Sequence, residues 1–149
     1  MLAFTQKLIK LRRQHPVFRC RTWFRGQVLK HSEIEDIAWF KFDGEHMKEE
    51  DWQHDYAKSF SVFINGRGMH ARTTVGERVT DDSFYIIFNA YHGCIDYKLP
   101  SEEYAKDWRL ILDTSKDEVI TKGDEGKIYL AGDTIMVHDY SILLLHHAY

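Results

Sequence analysis

A chain of 149 residues, 44% hydrophobic and 29% charged, has room for one domain with a real hydrophobic core. No run approaches the ~18 consecutive apolar residues of a membrane-spanning helix, and the formal charge of −3 excludes an overall basic, nucleic-acid-type surface. The charge is uneven: residues 1–25 hold seven Lys/Arg and no Asp or Glu, which leaves thirteen basic against twenty-three acidic side chains, −10, in the rest. The basic head reads as the wet face of one helix and the strand after it, because a nucleic-acid arm needs a denser basic run with exposed aromatics. Charges interrupt the apolar N-terminal residues every two or three positions, so no signal peptide is read and a cytoplasmic location is expected.

Residues 1–18 predict one amphipathic helix, with Leu2, Phe4, Leu8, Ile9 and Leu11 on one stripe. Lys7, Lys10, Arg12 and Arg13 supply its solvated positions, and Pro16 ends it by biasing His15 away from helical geometry. A lone helix heading a β-domain needs a surface on which to bury that stripe. Strand character follows at 22–24 and 27–29, then at 36–42, which alternates and turns at Asp43-Gly44. Residues 59–65 alternate again, and 83–89 form the most apolar run, a central strand covered on both faces. Residues 94–99, 108–113, 127–130, 134–137 and 142–145 complete the set, with one helical turn at 102–106. Two stretches, 43–58 and 66–82, read as polar excursions. The pattern predicts a mainly β fold: an antiparallel β-sandwich of about eight strands preceded by one N-terminal amphipathic helix. The division is 1–18 for the helix and 19–149 for the sandwich domain.

The residues offer little for catalysis. Cys20 and Cys94 are widely spaced without a CxxC partner, His146 and His147 are adjacent and would point to opposite faces of a strand, and there is no HExxH. No metal centre and no cofactor are expected. Asp81-Asp82 and Glu102-Glu103 are carboxylate pairs of the kind sugar hydrolysis uses, but sequence neighbours rarely converge across one bond, and solvated turns explain both better. Asp113-Thr114 reads as a turn or cap, and Gly66-Arg67-Gly68 lacks the strand–turn–helix setting of a phosphate loop. The aromatics are more informative, because indole faces can pack on sugar rings as well as fill sandwich cores. Trp39 and Trp108, set inside strands, are assigned to the core; Trp52, beside Asp51 in a polar excursion, is open to either role.

The run Leu8-Ile9-Lys10-Leu11-Arg12-Arg13-Gln14-His15-Pro16-Val17-Phe18-Arg19 resembles the end of the catalytic barrel in bacterial glycogen debranching enzymes. These form the isoamylase-type branch of the α-amylase superfamily, glycoside hydrolase family 13. Asp36-Ile37-Ala38-Trp39, Asp43-Gly44 with Met47, and Asp51-Trp52 resemble that branch's D-I-x-W, D-G-x-x-M and D-W pattern. Ser61 to Gly66, Asp81-Asp82-Ser83, Asn89-Ala90, Leu99-Pro100 and Trp108 with Leu112-Asp113-Thr114 continue it in order over essentially the whole chain. His46, Tyr91 and Tyr140 depart from it, standing where an acidic residue, His and Arg are usual.

The resemblance implies the last barrel helix followed by the C-terminal β-domain of an α-1,6-glucosidase of glycogen catabolism. The family's nucleophile Asp, acid/base Glu and assisting Asp stand on barrel strands upstream, and a barrel takes about 250 residues, so no catalytic residue is assigned here and no activity is expected of this chain alone. The expected role is to brace the barrel, of the same or a companion chain, through Leu2, Phe4, Leu8 and Leu11. Glycogen or another branched glucan would be contacted at Trp52, Trp39 and Asp51, with no nucleic-acid or membrane partner. The alternatives are a stand-alone glucan-binding module, or an interaction subunit that docks or self-associates through its N-terminal helix.

Overall fold

The computed structural model describes residues 2–20, 22–29, 34–53, 58–69, 71–72, 74–116, 118–119 and 126–149. Met1, residues 54–57 of the first predicted excursion, and residues 70 and 73 of the second lie outside them. Helix α1 spans Leu2–Gln14. Phe4, Leu8 and Leu11, spaced i, i+4 and i+7, are partly buried against Phe84, Leu112 and Leu144 of the main sheet. Leu2 and Ile9 do not share that stripe: at about 100° per residue they fall roughly opposite Phe4, and they are 74% and 49% exposed. The buried face is therefore narrower than the sequence reading made it. His15 is extended (φ −110°, ψ 104°) before Pro16, as a residue preceding proline should be, and a 3-10 turn over Pro16–Arg19 redirects the chain.

The strands are β1 (Ile37–Phe40), β2 (Ser59–Ile64), β3 (Ser83–Asn89), β4 (Ile95–Lys98), β5 (Asp107–Asp113), β6 (Glu118–Val119), β7 (Ile128–Leu130), β8 (Thr134–Val137) and β9 (Ser141–His147). The main sheet runs β1-β2-β3-β9-β5-β6, with β7 also pairing β5, and β4 and β8 form a two-stranded ribbon. Every described pairing is antiparallel. A short helix, α2, spans Glu49–Trp52 within the first excursion.

Two apolar layers cover the main sheet. On one face, Phe40, Phe63, Tyr85, Trp108 and Leu145 meet Tyr97, Leu99 and Val137 of the ribbon side. On the other, Phe84, Leu112 and Leu144 meet α1 with Val17 and Met69. Phe84 and Tyr85, adjacent on β3, are both fully buried, so this strand is central and covered on both faces as its sequence predicts. The mainly β sandwich with one N-terminal helix is the fold expected.

Residues 22–29 form no strand; only Val28 bridges to Glu35. Two backbone bonds, Leu29 N–H to the Ile34 carbonyl and Asp36 N–H to the Gln27 carbonyl, flank that bridge, and the buried Asp36 carboxylate accepts the Arg25 N–H at 2.8 Å and the Gln27 N–H at 3.3 Å. Among the described residues, no helix is long and apolar enough to cross a membrane.

Truncating Phe84 to Ala should cost about 3–5 kcal/mol in urea unfolding, because it opens a cavity between helix and sheet. Leu2→Ala should stay within about 0.5 kcal/mol.

Candidate functional site

Strand parity decides what the tryptophans do. Ala38 and Phe40 face the core, so Trp39 between them faces outward and is 36% exposed. The core assignment of Trp39 is thus corrected, while Trp108 is fully buried as assigned. Trp52 reaches the same surface from α2 and is 47% exposed. Inside this polar stretch Asp51, at the third helical position, reaches back to the helix start, its carboxylate accepting the Lys48 N–H at 2.8 Å. Glu49, Glu50 and Asp51 also set negative charge at its N-terminus. Asp51 therefore works as a cap at the foot of Trp52.

The two indoles meet edge to face, with centroids 5.3 Å apart and planes at 80°. Phe60 of β2 packs 5.8 Å from Trp39 and 6.1 Å from Trp52, and stacks on Phe88 at 5.0 Å. The result is an aromatic corner on the outer sheet face, beyond the part that α1 covers. A corner of this kind offers two faces at nearly a right angle rather than one flat platform.

The carboxylate pairs are occupied otherwise. Asp81 accepts from His15 Nδ1 at 2.9 Å, the Val17 N–H at 3.0 Å and the Asp82 N–H at 2.8 Å. Asp82 contacts His146 Nε2 at 2.8 Å. Phe84 lies beside both imidazoles, 4.8 Å from His15 and 5.5 Å from His146. Burial raises the Asp81 pKa, but the hydrogen bonds from His15, Val17 and Asp82 outweigh it and hold the carboxyl below its ordinary range. The cluster ties the end of α1 to β3 and β9. Sequence reading missed it because residues 15, 81, 82 and 146 meet only through the sheet.

Glu102 and Glu103 are exposed in a turn. They line a cleft of about 470 Å³ with His46, Lys98 and Tyr104. The Tyr104 hydroxyl lies 2.8 Å from His46 Nε2 and donates to Glu35 at 3.3 Å. Burial first, then the Glu35 charge, push that phenol well above its ordinary pKa, so it stays a neutral donor. Asp113 accepts from the N–H and hydroxyl of Ser115, as a turn residue.

Residues 36–146, from the buried Asp36 to the His146 that contacts Asp82, match the family described as "Isoamylase, C-terminal". The chain belongs to that family. The curated "Glycogen operon protein GlgX homolog" of Mycobacterium tuberculosis (strain ATCC 25618 / H37Rv) is 39% identical over 146 residues, covering 97% of this chain and 20% of that protein. "Isoamylase" of Flavobacterium sp is 27% identical over 120 residues, 76% of this chain and 14% of that protein. "Isoamylase" of Pseudomonas amyloderamosa is 24% identical over 148 residues, 96% of this chain and 17% of that protein. This isoamylase C-terminal chain thus spans about a fifth of the length of the first of these relatives. Of its three departures from the debranching pattern, His46 has the Tyr104 hydroxyl as its partner, and Tyr91 and Tyr140 are exposed.

Because the folded-state pKa of Asp81 lies below its unfolded value near 3.8, its stabilisation is complete above that value and is lost as pH falls through the folded one. Asp81→Asn should lower stability by about 1.5–3 kcal/mol at neutral pH, the scale of hydrogen bonds to a charged group. The gap to the unmodified chain should close on acidification below the unfolded pKa, as read from urea midpoints across a pH series.

Proposed function

We propose that this chain acts as the non-catalytic C-terminal β-domain of a glycogen-debranching glycoside hydrolase, bracing a catalytic (β/α)8 barrel and offering Trp39 and Trp52 to glucan. The observation that carries the reading is family membership over 36–146 in a chain spanning only a fifth of relatives named for glycogen and isoamylase. The carboxylates that cut an α-1,6 linkage through a covalent glycosyl intermediate would stand in the part of such an enzyme outside these 149 residues.

The two-sided helix supports the bracing role. Phe4, Leu8 and Leu11 anchor α1 on its own sheet, while Leu2 and Ile9 face away. A helix with apolar residues on both sides suits a position between two packed layers, here the sandwich and the barrel. The inward three would hold α1 in place, and the outward two would meet the barrel.

A stand-alone glucan-binding module is favoured by one observation, the exposure of Trp39 and Trp52. Their edge-to-face angle of 80° fits a bent glucan segment touching one indole face at a time, and does not fit a flat crystalline surface. Asp51 would orient Trp52 through the helix cap.

Calorimetric titration of the 149-residue chain with glycogen and with a branched maltodextrin should show saturable binding that Trp52→Ala weakens by about tenfold, the scale of one lost aromatic contact. No reducing ends should be released from either glucan. Absence of binding would leave the bracing role alone, and released reducing ends would overturn the non-catalytic reading.

A further inference from the structure

The open end of the β4–β8 ribbon brings Cys94 to the neighbouring pair His138 and Asp139, which lies 44 positions further along the chain. The ladder pairs Ile95 with Val137, so its next step sets Cys94 opposite His138. Directly opposed residues stand about 4.5–5.5 Å apart at Cβ and lie on one face. Tyr97 and Val137 are buried, and Cys94, out of phase with Tyr97, is exposed on the outer face. The Cys94 sulphur lies 3.6 Å from His138 Nδ1. An Asp139 carboxylate oxygen lies within 4.8 Å of both.

The sulphur–nitrogen distance is that of two ligands on one metal ion. With Zn–S near 2.3 Å and Zn–N near 2.0–2.1 Å in a tetrahedron, sulphur and nitrogen ligands stand about 3.5–3.6 Å apart. The turns carrying the ligands are also fixed. Asn89, buried at the end of β3, donates to the Gly93 carbonyl at 3.0 Å and the His138 carbonyl at 2.9 Å, and accepts the Tyr91 N–H at 2.9 Å. Ser141 donates its hydroxyl to the His138 carbonyl at 2.6 Å, and the Tyr140 N–H reaches the Tyr91 carbonyl at 3.2 Å. Tyr140 takes a left-handed φ of 47°, which turns the chain back into β9 directly after the ligand pair.

We propose that Cys94, His138 and Asp139 bind one zinc ion, with solvent in the fourth position. Thiolate and carboxylate together carry two negative charges, which balance the divalent ion beside a neutral imidazole. Binding releases the thiol proton to solvent, and nothing is oxidised or reduced. The thiolate selects zinc over magnesium or calcium. The His15, Asp81 and Asp82 group also offers three donors, but its carboxylates already serve the backbone and two imidazoles. The Cys94 group is open to an incoming ion.

The test uses the reduced, chelator-stripped 149-residue protein without an affinity tag. Cobalt(II), as a visible stand-in for zinc, should form a 1:1 complex with an intense near-ultraviolet thiolate-to-cobalt band. Zinc should displace it and release about one proton per ion at neutral pH. Cys94→Ser and His138→Gln, both at the domain surface, should abolish the band and weaken zinc binding by more than about tenfold, the least that even an outer-shell loss costs. The proposal is overturned if no 1:1 complex forms, if two chains share one ion, or if both variants bind as the unmodified chain does. Binding that survives in Cys94→Ser and disappears in His15→Gln would also overturn it, by placing the ion at the other cluster.

Discussion

The main sheet is apolar on both faces, and that constraint organises everything around it. Phe84, Ile86 and Leu144 point one way; Tyr85, Ile87, Leu143 and Leu145 point the other. A sheet of this kind is not stable against water on either side, so each face must be covered. The β4–β8 ribbon with Leu99 and Tyr104 covers one face, and α1 with the segment after Pro16 covers the other. The helix is therefore a structural layer of the domain. The His15–Asp81 contact at its end fastens that layer to the sheet.

Cover on the helix side stops short. α1 reaches the Phe84 end of β3, and the β1–β2 end of the same face is left to Trp39, Phe60, Phe88 and Trp52. Large aromatics at the margin of a covered sheet can pack on each other while keeping faces open, which smaller aliphatic residues could not do over the same area. The aromatic corner lies where the cover by α1 ends. Both proposed roles, packing against a neighbouring layer or against sugar, would draw on the same exposed indole surface.

Strands with clean alternation were readable from the residues alone. Residues 59–65 were legible from their alternation and 83–89 from an unbroken apolar run, and β2 and β3 stand there. β5 was placed, but its facing was not legible. A bulge between Leu110 and Leu112 shifts its phase, so that Trp108 serves the ribbon-side core and Leu112 the helix-side core. The 22–29 segment looked like a strand because it is rich in aromatic and β-branched residues, yet it makes only one bridge with two backbone bonds to 34–36, and the buried Asp36 carboxylate takes its Arg25 and Gln27 N–H groups. Trp39 was misassigned because a strand places neighbours on opposite faces, and which face is the core depends on the register with β2. The histidine–aspartate cluster and the Cys94–His138 pair join residues 44 or more positions apart. Only the sheet's register brings such residues together, and no local pattern encodes it.

Asn89 carries a chemical vulnerability of its own. Its amide nitrogen faces the carbonyl oxygens of Gly93, Val137 and His138 at 3.0, 3.4 and 2.9 Å. Hydrolysis of that amide would replace the donor with a carboxylate oxygen of nearly the same size, setting a negative charge among three oxygens that can only repel it. Asparagine ageing needs the next backbone nitrogen to swing onto the side-chain carbonyl, and a carboxamide held by this many bonds is denied that swing. The native fold thus shields Asn89 from the reaction that would dismantle its own turn. Damage at Asn89 would therefore begin in molecules that had already opened there.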